Sequence, residues 1–287
     1  MKQKSMLALL LAVLMMVTGL AAPALAADAQ QDLVCLGGDL TDAQRDTVWN
    51  LLGMDRNAVK VVEVHIDDEK ALLGKYVPAE KIGSRSLSSV GIHMTGSGSG
   101  ISVSTHNITW VTAEMYSSAM ATAGITDAQV TVVAPVGVSG TAALAGIFKA
   151  YETAANSTLS EQAKDVASEE LVSTGELGEA IGKDEAAELI AMIKQKVVEA
   201  GLDDPEKIRT VIEEAAQQLG ITLTEEQIQM LIDLMLKIGQ LNIDPEQFSN
   251  ALNSLYNGWK QLESKGLFEA LKELINRFFN WIGSLFS

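Results

Sequence analysis

The stretch "PVGVSGTAAL" joins a β-branched run to a helix-forming run, the junction at which an α/β-hydrolase sets its nucleophile. Gly137-x-Ser139 fits the first half of the G-x-S-x-G elbow, but Thr141 stands where the final glycine belongs. That hydrolase order also places a histidine last, and no histidine follows Ser139. Ser139 and Thr141 therefore read as helix-capping hydroxyls, beside amides that suit a phosphate or a carboxylate. A second candidate is "KIGSRSLSS", where Arg85 stands among hydroxyls that include Ser89 and would grip an anion. A third is the pair "SLSSVGIHMT" and "ISVSTHNITWV", which carries His93, Ser104, His106 and Asn107.

No H-x-H or H-E-x-x-H spacing occurs, and His65 belongs to another strand-like run, so neither metal nor cofactor is expected. Cys35, the only cysteine, sits in "DLVCLGG" and reads as a small buried hydrophobe, with no intrachain disulfide available.

Those polar residues need strands to position them, and the second strand of the pair poses a problem. Side chains alternate between faces along a strand. Yet Ile101 and Val103 are odd-numbered, whereas Ile108 and Trp110 are even-numbered. Pairing the segments as an antiparallel hairpin across "GSGSG" matches Met94 with Ile101, Ile92 with Val103, Ser89 with His106 and Leu87 with Ile108. In that register both strands exchange their apolar face at the same height, and His93 and His106 lie roughly 13 Å apart along the ladder, too far to share one ion. A β-bulge between Thr105 and Asn107 is the other way to obtain the exchange, with His106 and Asn107 serving the irregularity.

The elements run β-α-β-α-β-β-α-β-α from Asp28 to Ser157, the pattern of an α/β sandwich on a mixed sheet. Thr41 with Gln44 forms a capping box, and Gly53 closes that helix. Asp67, Asp68 and Glu69 crowd a helix N-terminus, where the dipole favours anions. After Ser157 the strand signals stop. Helix caps are expected at Asp184, Asp204, Thr224, Asp244 and Ser264, each followed by an apolar stripe. The regular spacing suggests a helical repeat; the small likeness between segments favours a bundle. The expected fold is thus a mixed α/β domain over residues 28–157, then an acidic all-α domain over 158–287.

The N-terminus has the form of a secretory signal: Lys2 and Lys4, an apolar run from Met6 to Ala22, then Ala24-Leu25-Ala26 as a cleavage site. Removal of residues 1–26 leaves 19 basic and 37 acidic side chains, a balance hostile to nucleic acid. The C-terminal "GLFEALKELINRFFNWIGSLFS" sets Leu267, Leu271, Phe278 and Ile282 on one helical face, widened by Phe279 and Trp281. Charges interrupt it too often for a membrane span, which leaves a core helix or peripheral contact with a bilayer surface.

Several of these stretches carry a resemblance. "LGGDLTDAQRDTVWNLLG", "GKYVPAEKIGSRSLSS", "GSGISVSTHNITWVTAEMYSSAMATAGI" and "VVAPVGVSGTAALAGIFKAYE" resemble the domain-of-unknown-function 1002 family of secreted Gram-positive (Firmicute) proteins. The resemblance implies an exported protein of about this length and supplies no reaction, ligand or catalytic residue.

Together these features lead us to expect a secreted, non-catalytic binding protein of the cell envelope. Its partner would be an envelope protein or a second copy of the chain, and Val90, Ile92, Met94, Ile101 and Val103 would meet either that partner or the chain's own helical half. Two other functions compete: a hydrolase using Ser139 or the His106-Asn107 region, and a membrane-surface protein held by its C-terminal helix.

Overall fold

The computed structural model describes residues 32–77, 82–241 and 243–251. The candidate signal peptide, the expected cap at Ser264 and the aromatic C-terminal segment with Leu267, Leu271, Phe278, Phe279, Trp281 and Ile282 lie outside the described residues.

The sheet-forming part follows the expected order: β1 (Leu33–Gly37), α1 (Asp42–Leu52), β2 (Lys60–Val64), α2 (Ile66–Leu73), β3 (Ser89–Met94), β4 (Ile101–Ile108), α3 (Ala113–Thr122), β5 (Ala128–Val138) and α4 (Thr141–Ala154). Local chemistry marks the helix ends. Thr41 and Gln44 form the capping box of α1, and Gly53 ends it in the left-handed region.

The strands assemble as one mixed sheet in the order β2-β1-β3-β5-β4. Here the hairpin expectation fails. β3 and β4 do not pair; β5 lies between them, antiparallel to β3 and parallel to β4. Met94 and Ile101 both face Ala128, and Ile92 and Val103 both face Val130. The physical reason is that β5, with Val130, Val132, Val133 and Ala134 at most 2% exposed, gains most from a partner on each side. The glycine-rich link at 95–100 then need only cross one intervening strand, roughly 10 Å.

The change of apolar face is a β-irregularity. His106 pairs with Val133, the register then jumps, and Ile108 pairs with Val138. Asn107 stands at the jump in the left-handed region (φ 61°), where β4 passes from His106 to Ile108 while β5 runs from Val133 to Val138, and its Nδ2 donates to Ala134 O at 2.8 Å. The irregularity returns Ile108 and Trp110 to the same core as Ile101 and Val103. Asn107→Ala removes the bond and keeps the unfavourable φ, so it should lower stability by about 1–2 kcal/mol in denaturant unfolding.

Each sheet face has its own cover. On one, Leu33, Cys35, Val90, Ile92, Ile101, Val130 and Val132 pack beneath α2, α3 and α4. Val90, Ile92, Met94, Ile101 and Val103 thus face helices of the same chain. On the other, Val34, Leu36, Leu87 and Val133 pack against Val48, Trp49 and Leu52 of α1. Burial in β1 pushes the Cys35 thiol up to about 12, which leaves it an inert core group.

The helical C-terminal part comprises α5 (Glu161–Ile181), α6 (Lys183–Ala200), α7 (Pro205–Leu219) and α8 (Glu225–Gly239), with residues 245–251 also helical. Asp204 and Thr224 cap α7 and α8, and Asp244 Oδ1 accepts from Gln247 N at 2.9 Å. Asp184 is not a cap: α5 turns directly into α6 through Gly182 (φ 106°), which places Asp184 in the first turn of α6. α8 returns to pack on α5, α6 and α7, the closure of a bundle. The two parts share apolar core, since Leu159, Leu171, Val172 and Phe248 join the cluster above the sheet. Polar contacts fasten them further: Trp110 Nε1 donates to Glu179 Oε1 at 2.9 Å and Lys183 Nζ to Thr109 O at 2.7 Å.

Candidate functional site

The N-terminus of α4 opens onto a cleft of about 340 Å³, lined by Glu69 of α2, Ile82 to Arg85, Leu87 and Ser88 of the preceding loop, and Val138, Ser139, Thr141 and Ala142. Three separate pieces of chain meet here. The loop is pinned where Ser86 N donates to Asp39 Oδ2 at 2.7 Å and Asp39 N donates to Ser86 O at 3.2 Å. Gly140 makes the turn between the two candidate hydroxyls. Its φ is 98°, a Cβ there would overlap Ile108 and Tyr116, and its carbonyl accepts from Tyr116 Oη at 2.5 Å. The sharp turn that the hydrolase elbow draws from its final glycine is supplied here one position earlier.

The cleft's polar groups form a chain. Ser139 Oγ and Thr141 Oγ1 lie 3.1 Å apart, and Thr141 Oγ1 donates to Glu69 Oε1 at 2.6 Å. Glu69 is 1% exposed. Desolvation raises its pKa to about 7, against the opposing pull of the Thr141 bond and the Lys70 charge. Arg85 is exposed at the mouth, with Ser84 exposed and Ser88 buried beside it. Among the described residues the lining offers one cation, several hydroxyls and a carboxyl poised between its two states at neutral pH. Those are the elements of a small oxyanion site.

Of the residues singled out for chemistry, Arg85, Ser139 and Thr141 therefore come together. The others do not join them. Ser89 Oγ is buried and accepts from Gly37 N at 3.0 Å. His93 is exposed and paired with Asp32. Ser104 Oγ donates to Thr131 Oγ1 at 3.3 Å, His106 is exposed on the edge strand β4, and Asn107 holds the irregularity. With β5 between β3 and β4, His93 and His106 are four positions and two strand spacings apart, roughly 16 Å. No group of three metal-ligating side chains occurs among the described residues.

Two sets of groups stand outside the residues singled out for chemistry. Glu69 is one, and its signal was its place at i+3 between Ile66 and Leu73 on a buried stripe. The other is a sealed cluster between α3, α5 and α6. Lys194 Nζ, 0% exposed, donates to Glu170 Oε1 at 2.7 Å, to Ser118 O at 2.8 Å and Oγ at 2.7 Å, and to Thr122 Oγ1 at 3.0 Å. Ser118 and Thr122 also donate to Glu170, and the Phe248 ring lies 5.2 Å from the ammonium. Desolvation pulls the Lys194 pKa down while Glu170 opposes it. A larger hollow of about 500 Å³ adjoins this cluster, lined by Thr122, Gln162, Gln240, Asp244 and Phe248 among others. Asp244, the one charged side chain that lines it among the described residues, is already engaged as a helix cap.

Comparison with known proteins gives a family and no activity. The model of a family described as "Protein of unknown function (DUF1002)" matches residues 36–255. The "Uncharacterized protein YpuA" of Bacillus subtilis (strain 168) is 42% identical over 222 residues, which cover 77% of this chain and 76% of that protein. No solved structure matches. The match spans the sheet from the end of β1 onward, the cleft and most of the helical part, and on it the chain belongs to the domain-of-unknown-function 1002 family.

Proposed function

We propose that the protein is an exported, non-catalytic binding protein of the cell envelope, and that the cleft at the start of α4 is its ligand site. The observation that carries this reading is the convergence of Arg85, Ser139 and Thr141 with buried Glu69 around one hollow. Export is supported by the basic, apolar and small-residue succession of the first 26 residues. Binding is favoured over hydrolysis by the hydrogen bonding of Ser139. Its side-chain partner is another hydroxyl, no histidine lines the cleft among the described residues, and Glu69 reaches it only through Thr141. A nucleophilic serine needs a base within direct reach.

Titration of the purified chain with acetate and with sulfate, followed by calorimetry, tests the site. Binding to wild type, weakened about tenfold or more in Arg85→Ala, is the expected result for loss of a charge-assisted contact. Equal affinity in the two proteins would remove the cleft from consideration. Turnover of ester or amide substrates that disappears in Ser139→Ala would replace this reading with the hydrolase one. Recovery of the protein only inside the cell membrane of producing cells would overturn export.

A further inference from the structure

The cleft contains a contradiction if it is an anion site: a carboxyl group forms part of its wall. An ionised Glu69 would repel a bound oxyanion at short range with little water to screen it. The hydroxyl chain suggests how the two are reconciled. With Glu69 ionised, Thr141 Oγ1–H donates to it at 2.6 Å, and Ser139, 3.1 Å from Thr141, spends its own proton on Thr141. Ser139 then turns only lone pairs toward the cleft. With Glu69 protonated, every bond can reverse. The carboxyl O–H donates to Thr141, Thr141 donates to Ser139, and the Ser139 O–H is released as a donor.

We propose that the cleft takes up an oxyanion, a carboxylate or a tetrahedral sulfate- or phosphate-type group, together with one proton that is held on Glu69 while the Thr141–Ser139 pair reverses its donor direction. This rests on the reading of the cleft as an anion site and adds the stoichiometry of its occupation. The balance is simple: one proton from solvent joins Glu69 Oε1, no covalent bond to carbon, sulfur or phosphorus changes, and Arg85 meets the charge of the anion. Both effects of protonation act in the same direction, since it removes a negative charge from the wall and adds a hydrogen-bond donor. A neutral polar ligand would gain nothing from the first effect, so the device discriminates in favour of anions.

Among the described residues the charged groups about Glu69 are few. Lys70 follows it on α2, Arg85 faces the cleft from the loop, and the Asp68–Lys149 pair (3.2 Å) joins α2 to α4. On the α5 side Asp165 is held by Lys75 at 2.8 Å, and Tyr116 of α3 is buried beneath with its hydroxyl given to Gly140. His65 caps α2 and lies 3.7 Å from Glu63.

Calorimetry with acetate and with sulfate, neither of which titrates near neutrality, tests the proposal in two buffers of different ionisation enthalpy. For wild type, uptake should approach one proton per anion at about pH 8.5 and fall toward none at about pH 5.5, while affinity weakens about tenfold per pH unit above neutrality. Glu69→Gln, which mimics the protonated acid, should bind at both pH values with equal affinity and no proton uptake. Wild-type binding without uptake, or a Gln variant that keeps the wild-type pH dependence, would overturn the proposal. Absence of any binding heat with both anions at both pH values would instead sink the anion-site reading beneath it. The wild-type two-buffer measurement decides the matter even if the variant folds poorly. A preference for acetate or for sulfate identifies which oxyanion geometry the cleft favours, and either supports the proposal if proton uptake accompanies it.

Discussion

Lys194→Met is expected to destabilise the protein by about 3–5 kcal/mol, enough to move its denaturant midpoint far below that of wild type. The reason lies in what would be left behind. Lys194 and Glu170 are both 0% exposed, so deleting the ammonium strands a carboxylate where water cannot reach it. The Ser118 and Thr122 hydroxyls would remain bonded to Glu170, but two neutral donors do not replace a cation. Glu170 would be driven to take up a proton, so Lys194→Met should recover stability as pH falls, opposite to the acid sensitivity of most proteins. Pairing the change with Glu170→Leu removes both charges, and the double variant should regain most of the loss. A single variant as stable as wild type would show that the pair is neither buried nor coupled. Because α3 belongs to the sheet-forming part whereas α5 and α6 belong to the helical part, the same variant reports how far the two parts share one unfolding transition.

What the sequence disclosed, and what it withheld, follows from the range of each interaction. Element order and most helix ends depend on neighbours within a few positions. Thr41 with Gln44, Thr224 with Gln227, and Asp204 before Pro205 were accordingly legible. Asp184 misled because Gly182 binds two helices so closely that no capping position intervenes. Strand pairing is not local. "GSGSG" between two apolar runs suggests a hairpin, yet a third strand more than 20 positions further on takes the place between them. The face exchange in β4 contained the information needed, since one left-handed Asn107 explains it without any change of partner face. The cleft was half legible. Arg85, Ser139 and Thr141 stood out by composition, but their meeting depends on the path of the 82–88 loop and on Gly140. Glu69 reads in the sequence only as one of three acids at a helix N-terminus, and Glu170 and Lys194 belong to no local motif. Each in fact stands on the apolar stripe of its helix, Lys194 at i+4 from Ile190 and three before Val197. A charged residue at a position where periodicity demands a hydrophobe is a signal in its own right.

Glu69 also ties the stability of the protein to pH, independently of any ligand. Its folded-state pKa of about 7 lies above the ordinary 4.5, so between those values the native protein binds more protons than the unfolded chain. Stability must then fall as pH rises through that window, with the contribution fully present below the lower value and lost above the upper one. For a group this deeply buried the swing is about 3 kcal/mol in order of magnitude. Glu69→Gln keeps the shape and the acceptor for Thr141 without the titration. Its stability should vary much less with pH, and at about pH 8 it should exceed wild type by an amount of that order. Chemical denaturation of both proteins at several pH values, compared by midpoint at unchanged m-value, measures the difference directly. Parallel curves for the two proteins would mean that Glu69 is ionised and well solvated in the native state. A wider gap at high pH would instead establish that the cleft holds a strained carboxylate when empty, the condition under which an incoming anion and a proton arrive together.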